Sequence, residues 1–252
     1  MNILKYIKNL YTGSENLIIQ LSIFALCGVM AISFNETFAA YTGGSIYAVF
    51  ASPENNMAIL YTLLGFTIFI YLTGYSYRFV NGLFNEENKV QLPSISLNCF
   101  TTFLKVFPVM FVWGIYIAIL SGVGLFLTKN VILFFIWSLL ILILLPFINL
   151  IFIRFAKDFK YTKEIFNPLT LLKFIDKSFM SVILFLIQFI IGAAIISALI
   201  GFGTRFAINL QSRNAQLIGL LSIICIGAYL EQMLNFAYYQ GMTKIAKDKI
   251  FD

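Results

Sequence analysis

Residues 131–153 read VILFFIWSLLILILLPFINLIFI, without one charged side chain. At 1.5 Å of rise per residue a helix of that length covers about 35 Å, more than the roughly 30 Å hydrocarbon core of a bilayer. Upstream, only Thr128, Lys129 and Asn130 separate this run from another, Val106–Leu127, so the two are expected to form a helical hairpin. Four further runs reach spanning length: Leu17–Phe34, Met57–Tyr77, Phe179–Phe202 and Leu217–Tyr239. The fold class expected is therefore all-α, an integral membrane bundle of six transmembrane helices forming a single transmembrane domain, residues 1–252. Pro146 removes a backbone donor inside the fourth span and is expected to kink it.

Composition points the same way. Hydrophobic residues make up 60% of the chain and charged residues 11%, against roughly 25% charged in a soluble domain. A soluble chain of this size leaves too much surface wet to hide so much apolar side chain. The net charge is +6, but the basic residues flank apolar runs. That distribution suits a lipid bilayer surface as partner and not a nucleic acid. There is no histidine, the commonest general base and metal ligand. Cys27, Cys99 and Cys225 have no metal-ligand spacing, so neither a metal nor another cofactor is expected. Gly-x-x-x-x-Gly-Lys-Ser/Thr, Gly-x-Ser-x-Gly and His-Glu-x-x-His are all missing, so an enzyme is not expected.

Lysine and arginine counts near the span ends set the orientation. On one side lie Lys5, Lys8, Arg78, Lys89, Lys105, Arg154, Lys157, Lys160, Lys163, Lys173, Lys177, Lys244, Lys247 and Lys249. Against these fourteen, the other side has Lys129, Arg205 and Arg213. The richer side, with both termini, is expected in the cytoplasm. The first apolar run is read as a retained span, because sixteen residues precede it, long for the basic region of a cleaved signal.

Three segments on the basic side read as amphipathic interfacial helices. Residues 2–11 place Ile3, Tyr6, Ile7 and Leu10 on one face. Residues 94–107 do so with Leu97, Phe100, Phe103, Leu104 and Phe107, and residues 168–177 with Leu169, Leu172 and Ile175. Apolar faces with basic flanks suit a membrane surface, while loop residues packed on the bundle end are the alternative. The strings Ile3-Leu4-Lys5-Tyr6-Ile7, Phe103-Leu104-Lys105-Val106-Phe107 and Leu171-Leu172-Lys173-Phe174-Ile175 share a pattern. With Tyr77-Arg78-Phe79, Ile153-Arg154-Phe155 and Tyr239-Gln240-Gly241 they suggest a threefold repeat of surface helix plus two spans.

Glu231 is the one carboxylate well inside a span, and a charge at that depth costs on the order of 3 kcal/mol. Gln232 lies alongside it, and Gly227 and Asn235 share its face, giving a candidate intramembrane polar site. The alternative is a structural ion pair, with Arg78 as candidate partner, or a carboxylate that reaches the interface. Small residues recur every fourth position as Gly114, Ala118 and Gly122 and again as Ala193, Ser197 and Gly201. Such ridges let helices approach closely, so helix packing within the chain is expected, with an oligomer contact as runner-up.

Gly74-Tyr75-Ser76-Tyr77-Arg78, Leu92-Pro93 and Phe103-Leu104-Lys105 together resemble an uncharacterised family of prokaryotic multi-pass membrane proteins of unknown function. In that family a Gly-Tyr-x-x-Arg ends the second span and a Leu-Pro opens the next cytoplasmic segment; Ser94 departs from the acidic or aromatic residue that often follows. The resemblance implies topology and a prokaryotic cytoplasmic membrane, but no activity. Two functions stand: a protein that acts by binding membrane partners or lipid, or a pore, carrier or permease-type subunit of a transport system with other membrane or cytoplasmic subunits.

Overall fold

The computed structural model describes residues 3–11, 14–42, 55–85, 91–126 and 130–251. Among them lie eight helices and no strand: α1 (Ile3–Leu10), α2 (Ser14–Thr42), α3 (Asn55–Asn85), α4 (Asn98–Phe126), α5 (Val131–Ala156), α6 (Lys163–Phe166), α7 (Leu169–Ile208) and α8 (Arg213–Lys249). Six of them, α2, α3, α4, α5, α7 and α8, are long and apolar enough to cross a membrane. The protein is a multi-pass integral membrane protein, and each expected span falls in its own helix.

The surface segments divide. α1 is a separate helix with Ile3 and Leu10 buried and Lys5 and Lys8 exposed, the face read from its sequence. Gln20 Nε2 of α2 donates to the Leu10 carbonyl at 2.6 Å and fixes its end. Of the other two segments, residues 98–107 and 169–177 instead run straight into spans, as the first turns of α4 and α7, while residues 94–97, expected to be helical, precede the helix. A continuous helix satisfies its own backbone, whereas a break at the membrane surface would leave up to four N–H and four C=O groups seeking partners. On α4 the buried face is Cys99, Thr102, Val106, Val109 and Trp113. The larger apolar side chains Leu104 and Phe107 point outward, as does Leu97 just before the helix, which is 79% exposed. Lipid tolerates large apolar groups on the outside, so helix contacts select by fit and hydrogen bonding.

The chain forms two compact units, one of Gly74–Gln188 with Tyr238–Asp252 and one of Ile3–Thr73 with Phe189–Ala237. The divisions fall inside α3, α7 and α8, where composition does not change, so the expected single domain carries no sequence signal of them. In the first unit Tyr75, Phe79, Trp113, Phe147, Phe155 and Phe185 are wholly buried or nearly so. α4 packs on α5, and both contact α6. α5 stays helical through Pro146, and its environment changes there. Residues 131–145 are largely exposed, while Pro146, Phe147, Ile148, Leu150, Ile151 and Ile153 are buried. Asn130 caps α5 by accepting from the backbone N–H of Ile132 and Leu133. The outer half of the α4–α5 hairpin is joined by Trp137 Nε1, which donates to the Leu120 carbonyl at 2.8 Å, with its indole against Gly124.

In the second unit, Gly28 packs on Cys225, Gly65 on Phe34 and Gly219 on Ala207. Tyr229 meets Phe24 edge-on at 5.5 Å and shares a 3.2 Å hydrogen bond with the Tyr11 hydroxyl.

Candidate functional site

The polar chemistry of the first unit gathers around two arginines, Arg78 on α3 and Arg154 on α5. On α3, Gly74 lies so close to α4 that a Cβ there would overlap the Cys99 carbonyl oxygen. One residue on, the Tyr75 hydroxyl donates to the Pro93 carbonyl at 2.7 Å. Arg78 Nη1 donates to the Ser94 carbonyl at 3.3 Å and to Ser96 Oγ at 2.5 Å, and lies 3.6 Å from Cys99 Sγ. Leu92 is buried beside them. The residues that carried the family resemblance, Gly74 to Arg78 and Leu92-Pro93, therefore converge on one joint between helices. A cavity of about 370 Å³ opens there, lined by Arg78, Asn81, Asn85, Gln91, Pro93 and Ser94. Asn81 Nδ2 also donates to the carbonyls of Ala156 and Lys157 at 2.9 and 2.8 Å, satisfying acceptors left free at the end of α5.

Arg154 plays the corresponding part at the end of α5. Its Nη2 pairs with Glu164 Oε2, and its guanidinium sits 5.8 Å from the centre of the Phe174 ring. The intervening loop is held from α4: Trp113 Nε1 donates to the Ile165 carbonyl at 2.8 Å, and Tyr116 donates to that of Phe166 at 3.3 Å. In return the Tyr161 hydroxyl donates to the Lys105 carbonyl at 2.7 Å. A second cavity, about 220 Å³, is lined by Arg154, Glu164, Thr170, Lys173, Phe174 and Lys177. In both places the arginine that ends one span holds the segment leading into the next. Where the third string would put an arginine, Gln240 is followed by Gly241, against which the Phe185 ring packs with no room for a Cβ.

Deeper in the same unit lies a polar cluster that hydropathy does not reveal. The Tyr77 and Tyr239 hydroxyls are hydrogen bonded, with ring centres 6.0 Å apart. Asn149 Nδ2 donates to the Tyr238 hydroxyl at 3.3 Å, and Phe185 stacks on Tyr238 at 5.9 Å. Counted as hydrophobic, these tyrosines leave no trace in a search for polar residues. The available signal was Asn149 inside a span beside two adjacent tyrosines in another, since buried hydroxyls and amides seek partners.

Glu231 is exposed, Gln232 and Asn235 are half-buried, and Gly227 is buried against Ile200. The four residues do not share one environment. Arg78, the candidate partner of Glu231, is engaged by Ser94, Ser96 and Cys99, and the ion pairs seen among the described residues are Arg154–Glu164 and Lys160–Asp158. Among the described residues nothing lies within 4 Å of where a Cβ would stand at Gly114, Gly122 or Gly201. Ala118 and Ser197 are exposed, and Ala193 is half-buried. Among the described residues the close approaches fall instead at Gly74, Gly241, Gly192 (against Leu234) and Gly203 (against Ile223). Spacing identifies a smooth helix face but not the direction it points.

No group of three or more Cys, Asp or Glu among the described residues is placed to hold a metal ion. No known protein family, curated protein or solved structure matches the chain.

Proposed function

We propose that this protein is a non-catalytic membrane protein that works by binding other membrane proteins or lipid, with its basic helix ends in the cytoplasm of a prokaryotic cell. The observation that carries this reading is the outer half of the α4–α5 hairpin. Residues 131–145 are exposed on nearly every side, and Gly114, Ala118 and Gly122 present a smooth ridge beside them. Within lipid, helices associate through close van der Waals fit, which such a ridge permits. The positive-inside distribution of basic residues supports the orientation. The lack of histidine supports a role without catalysis. Purification in mild detergent tests the idea. The native chain should retain a membrane partner or tightly held lipid, and Gly114→Leu with Gly122→Leu should release it while the melting temperature holds. A chain that purifies alone and lipid-free in both forms would sink the reading.

The alternative, a permease-type subunit, has one observation in its favour: the buried Tyr77–Tyr239 and Tyr238–Asn149 contacts. Transport sites are built from convergent polar groups at membrane depth. Loss of solute uptake in Tyr238→Phe, with normal assembly, would move the balance to that side.

A further inference from the structure

Several features of the molecule fall short of a ligand. The Arg78 cavity is occupied with holding its own chain, and the outward ridges show no ligand chemistry. The cavity beside Arg154 differs. Arg154, Lys173 and Lys177 bring three positive charges to it and Glu164 one negative, leaving two in excess. Glu164 is paired with Arg154, and neither lysine joins an ion pair among the described residues. Asp176 lies on the same helix but does not line the space. The buried Thr170 adds a hydroxyl, and Phe174, under the Arg154 guanidinium, supplies an apolar wall.

Its level along the helix narrows the ligand. α7 is 40 residues long, about 60 Å at 1.5 Å per residue, so a large part of it stands outside a 30 Å core. Its apolar run begins at Phe179. By helix rise, Lys177 lies about 3 Å and Lys173 about 9 Å beyond that point. Lys177 therefore stands within the polar layer of a bilayer, roughly 5–8 Å thick on each side, and Lys173 at its outer edge. Phe179 and Met180, 46% and 68% exposed, begin the apolar run on the membrane side of the lysines and offer surface that suits acyl chains. At roughly 30 Å³ per water the cavity holds about seven water volumes, room for a phosphodiester group and part of its hydration.

We propose that the cavity bounded by Arg154, Lys173 and Lys177 binds the phosphate of an anionic phospholipid headgroup. The site rests on the reading that the protein binds membrane components, and gives that reading an address. Basic pockets between spanning helices on the cytoplasmic side are suited to such headgroups, and the exposed Phe179 and Met180 on the membrane side favour a lipid over a soluble phosphate. The test titrates phosphatidylglycerol into the purified full chain, counting bound lipid by native mass spectrometry. Parallel titrations use phosphatidylcholine and inorganic phosphate alone. Wild type should bind phosphatidylglycerol in preference to phosphatidylcholine, and Lys173→Gln with Lys177→Gln should weaken it by on the order of 30-fold. Lys173→Arg with Lys177→Arg should restore it. Binding of inorganic phosphate as tight as that of the lipid would replace the headgroup with a soluble phosphate and overturn the lipid assignment. Equal phosphatidylglycerol affinity in wild type and the glutamine variant would overturn the site itself. That failure is distinct from failure of the wider reading, which is judged by partner release from the Gly114 and Gly122 variants.

Discussion

Gly74 shows what a single methyl group decides. A Cβ at this position would meet the Cys99 carbonyl, which belongs to a helix backbone and cannot swing aside. Gly74→Ala should therefore lower stability by about 1–3 kcal/mol, read as a fall in melting temperature in detergent. Gly114→Ala, with open space around it, should leave the melt unchanged or raise it slightly. Equal losses at the two sites would contradict the packing described. Glu231 and Arg78 form the second residue-scale case. Because Glu231 is exposed and Arg78 is engaged by Ser94, Ser96 and Cys99, Arg78→Gln should destabilise by about 1–3 kcal/mol, while Glu231→Gln should change stability little. Their effects should add in the double mutant. A coupling above about 0.5 kcal/mol would show the two side chains interacting and revive the ion pair.

At the scale of elements, the ends of the helices carry the polar work and the middles carry little. Asn130 heads α5 with two backbone N–H groups on its side-chain oxygen. Asn130→Ala should cost about 1 kcal/mol, and Asn130→Asp should hold most of the cap; thermal melts of the two variants compare them directly. The other end of α5 closes through Phe159, whose φ of 53° lies in the left-handed region that usually favours glycine. A phenylalanine is kept there by its ring, which meets Phe155 edge-on at 5.7 Å and lies under the Lys105 ammonium. No local pattern announces that turn, because the contacts that compensate for its backbone come from α4 and α5. The segments at 98–107 and 169–177 carry a similar lesson. Their amphipathic spacing was legible, but whether each stops or continues as a span depends on backbone hydrogen bonding at the membrane surface.

Across the whole molecule, orientation rests on the fourteen-to-three split of basic residues. In an otherwise cysteine-free chain, Lys163→Cys should be protected from an impermeant thiol reagent in intact cells, and Asn214→Cys should react. Labelling at position 163 from outside would reverse the topology.

Six spans were written in the sequence, although α7 begins ten residues before and α8 ends ten residues after the expected limits. Hydrocarbon excludes charge over a fixed thickness, so length and composition alone answer for them. Which face of each span turns inward was not. Inside lipid both faces are apolar and no hydrophobic gradient separates them, so Gly114 and Gly122 look like packing residues by spacing, yet no described residue stands within 4 Å of a Cβ at either. Gly74 and Gly241, without such a ridge, are the ones that admit a neighbour. The same holds for the site. Glu231 stood out because a charge in a span is rare, while Tyr77, Asn149, Tyr238 and Tyr239 passed as ordinary apolar sequence. Only the folding of α3, α5 and α8 into one unit brings those hydroxyls and that amide together, and only the return of the chain from α5 to α7 sets Arg154 beside Lys173 and Lys177.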